Sequence, residues 1–95
     1  MERSAINKEE LIDRMADNLP TLRTKLHLTQ EALASIIGVS RHTVIHIEKG
    51  KRRMTWNTFL SIFLVMYGNG ETRELMQTMK IYTDELREYH FRDAR

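Results

Sequence analysis

The sequence predicts an all-α fold, and three observations predict it. Apolar residues recur at helical spacing nearly throughout, and no stretch alternates as a strand would. Ser, Thr and Asn residues stand just before the apolar runs, at Asn7, Asn18, Thr29, Ser40, Thr55 and Thr83, where a side-chain oxygen can cap a helix start. Glycines follow three of the runs, at Gly38, Gly50 and Gly68, where helices end.

Taken in order, Asn7 opens a first helix over 7–17, with Glu9 and Glu10 in its first turn and Leu11, Ile12 and Met15 as its apolar stripe. Pro20 predicts an interruption. Asn18 then caps a second helix to about residue 26, with Leu19, Leu22 and Leu26 inward. Thr29 caps a helix over 30–37, with Leu33, Ile36 and Ile37 inward, and Gly38 supplies a left-handed end. Ser40 caps the next helix, over 41–49, anchored by Val44, Ile45 and Ile47. Residues 51–54 form a basic loop. Thr55 caps a helix over 56–67 that is apolar nearly all round, so its spare face must meet the C-terminal segment, a partner subunit or both. Beyond Gly68-Asn69-Gly70 the chain is helical again, and Leu75, Met79, Tyr82, Leu86 and Tyr89 keep the spacing of a packing seam. Thr83-Asp84-Glu85 can open a new helix, which favours two short helices over one continuous one.

At 95 residues the chain is one domain with a modest core, burying roughly 60–70% of its unfolded surface. It contains no cysteine, which excludes a disulfide framework and a cysteine–histidine zinc site and fits a reducing cytoplasm. The N-terminus reads as a charged helix and not as an apolar signal region. Its longest apolar run, residues 62–67, is too short to span a bilayer. The net charge of +2 is unevenly distributed. Residues 1–20 carry three basic and five acidic side chains, residues 21–55 seven and two, and residues 56–95 five and six. The middle stretch is therefore +5 and its flanks −2 and −1, a local excess suited to neutralising phosphate.

The two short helices around Gly38 form a helix-turn-helix, with a polar face on the second. Leu22-Arg23, Leu28-Thr29-Gln30, Leu33-Ala34, Ile37-Gly38-Val39-Ser40, Val44, Ile47-Glu48-Lys49-Gly50 and Lys51-Arg52 together resemble the Cro/phage-repressor-like (xenobiotic-response-element-like) regulators of bacteria. The resemblance spans roughly residues 19–67. It implies a lambda-repressor-like bundle with extra N- and C-terminal helices: an extension over 1–17, a DNA-binding domain over 18–67 and a C-terminal segment over 71–95 that dimerises.

The implied function is sequence-specific binding of double-stranded DNA by a transcriptional repressor, acting as a cytoplasmic homodimer on a near-palindromic operator. The alternative is an antitoxin or other partner-binding module carrying a DNA-binding domain, whose acidic, aromatic-bearing tail around Tyr82, Leu86, Tyr89 and Phe91 would cover a basic partner protein. By resemblance, Arg41, His42 and His46 touch base edges, and the Thr43 methyl can meet that of thymine. Gln30, Ser40, Lys49, Lys51, Arg52 and Arg53 are expected at phosphates. Arg23 is expected to pair with Glu48, and as an exposed pair to contribute only about 0–1 kcal/mol. Phe63, Leu75, Met79, Tyr82, Leu86 and Tyr89 are the dimer-interface candidates.

Three residues depart from the family pattern. His27 stands where a glycine usually ends a helix, Met54 replaces a proline and so leaves the basic loop less constrained, and Phe63 occupies a small-residue position. His42 and His46 share a helix face at a metal-ligand spacing, but no third ligand is evident, since His27 lies in the preceding turn and His90 near the tail. No metal, cofactor or membrane is therefore expected. No phosphate-binding glycine loop or nucleophile–base arrangement points to an enzyme.

Overall fold

A computed structural model describes residues 6–93, with side chains over 6–88. Six helices follow one another: α1 Lys8–Lys25, α2 Gln30–Ile37, α3 Arg41–Glu48, α4 Trp56–Tyr67, α5 Gly70–Thr78 and α6 Asp84–Asp93. Among the described residues there is no strand, as the spacing predicts.

The first correction concerns α1, which runs unbroken through Pro20. Asn18 does not cap a new helix. Its amide nitrogen instead donates to the Arg14 carbonyl at 2.8 Å. An internal proline costs a helix about 3 kcal/mol. Leu11, Ile12, Met15, Leu19 and Leu22 are all buried along one stripe that stays in phase across the proline. Burying even two of these leucines at roughly 1.5–3 kcal/mol each offsets that cost. A boundary after residue 17 therefore falls inside a single rod. That rod packs against α3, α4 and α5.

The core gathers this stripe with Leu33, Ala34, Val44, Ile47, Phe59, Ile62, Met66 and Met76. Ile36 was expected inward but is 56% exposed. With about 100° between successive residues, Leu33, Ala34 and Ile37 centre the inward stripe of α2 and leave Ile36 on its flank. Met54 is buried in the core, so the basic loop is pinned by an apolar anchor where a proline was missing.

The C-terminal segment is broken, as Thr83 suggests. The Leu86 amide donates to the Thr83 hydroxyl at 3.1 Å and opens α6. Asn69 caps α5 by accepting from the Glu71 and Thr72 amides, where a plain helix end was expected. Gly68 ends α4 with φ −70, and no left-handed residue is used there. The expected seam is not continuous, because Lys80 turns the chain with φ 61 and swings the following residues to a new face. Met76, Ile81 and Leu86 enter the core, while Leu75, Met79 and Tyr82 are half-buried against it. Phe63 is also buried within its own chain, and Tyr89 has its side chain outside the described residues.

Lys80 offers a direct test of the turn. A left-handed residue with a Cβ costs roughly 1–2 kcal/mol, and glycine returns part of that as unfolded-state entropy. Lys80→Gly should therefore stabilise the protein by about 0.5–1 kcal/mol in urea unfolding. Lys80→Val should destabilise it. A glycine variant no more stable than wild type would show that the turn is unstrained.

Candidate nucleic-acid interface

The interface is assembled from two capped helices and one left-handed turn. The Thr29 hydroxyl accepts from the Ala32 amide at 2.9 Å and starts α2. Gly38, with φ 80, ends it, and the Gly38 and Val39 amides both donate to the Ala34 carbonyl. A side chain at Gly38 would meet no atom within 4 Å, so backbone conformation and not space requires the glycine. The Ser40 hydroxyl then accepts from the Thr43 amide and starts α3. Ala34 is buried where α2 packs on α3.

With Val44 and Ile47 buried, α3 has a fixed inner face. Arg41, His42 and His46 stand exposed on its outer side, followed by exposed Lys49, Lys51 and Arg52. The His42 and His46 rings lie 5.9 Å apart between centroids. Among the described residues no group of three potential ligands could hold a metal. Thr43 is half-buried, and its hydroxyl shares a 3.0 Å hydrogen bond with Ser40.

Glu48, at the C-terminal end of α3, is the hub behind this face. Arg23 grips it in bidentate fashion, Nε to Oε2 at 2.8 Å and Nη2 to Oε1 at 3.1 Å. The Gln30 amide nitrogen also donates to Oε1, at 3.0 Å. A third Arg23 nitrogen donates to the Leu28 carbonyl at 2.9 Å. One carboxylate thereby joins α1, α2 and α3. The Arg23 and Glu48 side chains are only 14% and 7% exposed, so the small value expected of a surface pair does not apply. Gln30 thus braces the end of α3 with its side chain, as the resemblance implies. Left-handed His27 (φ 58) makes the bend between α1 and α2 that glycine usually makes.

The Arg53 guanidinium is held by Asp13 at 2.7 Å and by the carboxylate and carbonyl of Glu9, all on α1. Hydrogen bonding from Asp13 above all raises its pKa above the ordinary value. Unlike Lys51 and Arg52, it is already paired with carboxylates, though its side chain stays 49% exposed. Lys8 lies over the Trp56 ring, 5.2 Å from its centroid, and joins the same end of α1 to α4.

Compared with known protein families, residues 21–55 match a helix-turn-helix model. The match begins just after Pro20 and ends on the cap of α4, so it takes in the rear of α1, α2, the Gly38 turn and α3. That stretch is a helix-turn-helix of the Cro/repressor-like type. Domains of this type bind DNA and form no enzyme family, and the match supports a DNA-binding transcription regulator. No curated protein and no solved structure matches the chain. Among the described residues no helix is long and apolar enough to cross a membrane. Within this helix-turn-helix, α2 is the first helix and α3 the second. The front of α1, with α5 and α6, lies outside the matched stretch.

Proposed function

We propose that the protein is a cytoplasmic repressor that binds a near-palindromic operator as a homodimer. One observation carries this reading. Exposed Arg41, His42 and His46 occupy the outer side of a helix whose inner side is buried and whose end is tied down at Glu48. Rigid presentation of hydrogen-bonding side chains is what reading base edges in a major groove requires. Arg41 pairs with a guanine, His42 and His46 contact neighbouring bases, and the Thr43 methyl meets a thymine. Lys49, Lys51 and Arg52 grip phosphates beyond the reading helix. Gln30 and Ser40 sit at the starts of the two helices, where backbone amides favour an anion. When Thr43 donates the hydroxyl bond they share, the Ser40 proton is left for a phosphate.

Dimerisation places two reading helices one helical turn apart on DNA. Half-buried Leu75 and Met79, with Leu64 of α4 at 62% exposure, supply apolar surface for the contact. Repression follows from occupancy of the operator, which needs no second domain.

Selection of random duplexes at one stated salt concentration tests the reading. Two inverted half-sites at fixed spacing are the expected result. Recovery of only weak, salt-sensitive binding would turn the function towards a partner-binding module. On the selected site, Arg41→Ala should weaken specific binding by about 10–100-fold, the value of one bidentate base contact, and relax preference at one base pair. Lys51→Ala should weaken all sequences alike and lower the salt slope by about 1. Equal effects of the two changes on specific and random DNA would remove Arg41 from base readout.

A further inference from the structure

The arginines with described side chains sort into three groups. Arg14, Arg23 and Arg53 are paired with carboxylates, and Arg41 and Arg52 belong to the reading face. Arg73 and Arg87 fit neither group. Among the described residues neither has a carboxylate partner, and both line an open cleft of about 520 Å³ bordered by the end of α4, by α5 and by the start of α6. The Arg73 guanidinium is fixed over the Tyr67 ring, 4.9 Å from its centroid, which orients its N–H groups before any ligand arrives.

The phenol of Tyr82 lines the same cleft. Burial and the neighbouring Tyr67 hydroxyl push this phenol above its ordinary range, while the charges of Arg87 and Arg73 pull it back. Tyr67 and Tyr82 meet edge to face at 5.4 Å between centroids, forming a rigid wall. The cleft thus combines two guanidiniums, two phenols and the Gln77 amide, all able to donate hydrogen bonds. Asp84 on the rim is the one opposing charge, so the lining is left with a net charge of about +1. Tyr67 is the only lining residue from α4, at its far end from the basic loop, and none comes from α2 or α3.

We propose that this cleft binds a small organic anion bearing a phosphate or carboxylate, held between Arg73 and Arg87. Paired guanidiniums grip such oxyanions through charge-assisted, often bidentate, hydrogen bonds. The volume admits a metabolite larger than the anionic group itself.

The test is calorimetric titration of the full-length protein with inorganic pyrophosphate, at low ionic strength and without DNA. Saturable binding is expected. Arg87→Gln should weaken it about tenfold or more, the usual effect of losing one charged hydrogen bond. Asp84→Asn should tighten it severalfold by removing the opposing charge. A Lys51→Gln, Arg52→Gln double variant should leave it unchanged, which separates this cleft from the reading face. Arg87 and Asp84 are exposed, so both single variants should fold, and circular dichroism confirms it. Absence of saturable binding overturns the proposal. So does binding lost in the loop variant and kept in Arg87→Gln.

Discussion

Glu48→Ala is expected to cost about 3–5 kcal/mol of stability, near the lower figure because Arg23 keeps some water contact. The change removes the acceptor for two Arg23 nitrogens and the Gln30 amide at once. It strands a guanidinium that is 14% exposed, with only the Leu28 carbonyl left to it. The larger consequence is positional. Without the hub, the end of α3 is no longer tied to α1 and α2, and operator binding should fall further than the folded fraction does. Replacing both members, Arg23→Met with Glu48→Met, should recover much of the stability but not the placement of α3. Urea unfolding of the two single variants and the pair measures this directly. A loss below about 1 kcal/mol for Glu48→Ala would mean that the pair behaves like an exposed one.

Phe59→Ala is expected to cost a similar amount, about 3–5 kcal/mol, for a different reason. Phe59 is fully buried in the first half of α4. It stacks on Trp56 at 4.7 Å with an interplanar angle of 7°, and lies 6.2 Å from Phe63. Truncation leaves a cavity that these rigid rings cannot collapse into. A domain of this size holds only about 5–15 kcal/mol in all, so the thermal midpoint should fall by roughly 12 °C or more. Phe59→Leu should retain most of the stability. A shift of only a few degrees for Phe59→Ala would show that α4 repacks freely.

The parts of the fold that were legible in the sequence are those set by local chemistry. Thr29, Gly38, Ser40 and Thr55 each act on amides or backbone angles within a few residues, so α2, α3 and α4 could be placed from the chain alone. Pro20 was misread because its local penalty is outweighed by packing that only the tertiary structure supplies. The clue was present in the apolar stripe, which runs in phase through the proline from Leu11 to Leu22. Asn69 was ambiguous for a local reason, since Gly-Asn-Gly can end one helix or cap the next.

At the interface, the order of residues around Gly38 sufficed to place the helix-turn-helix over α2 and α3. Partnerships across long separations were harder. Arg53 looks like its neighbours Lys51 and Arg52, and only the fold brings Asp13 and Glu9 to it from 40 and 44 residues away. The burial of Arg23 and Glu48 was likewise invisible, although their pairing was anticipated from resemblance.

Because α1 does not break, it works as a common axle. Its front end clasps the loop behind the reading helix through Arg53, its Arg14 holds the Lys80 carbonyl at 3.0 Å, and its rear carries Arg23. The matched helix-turn-helix is therefore not a detachable cartridge. A fragment trimmed to residues 21–55 would begin midway along the axle and lack Leu11, Ile12, Met15 and Leu19, four members of the core it needs to fold. The helix-turn-helix and the C-terminal helices pack on one shared core.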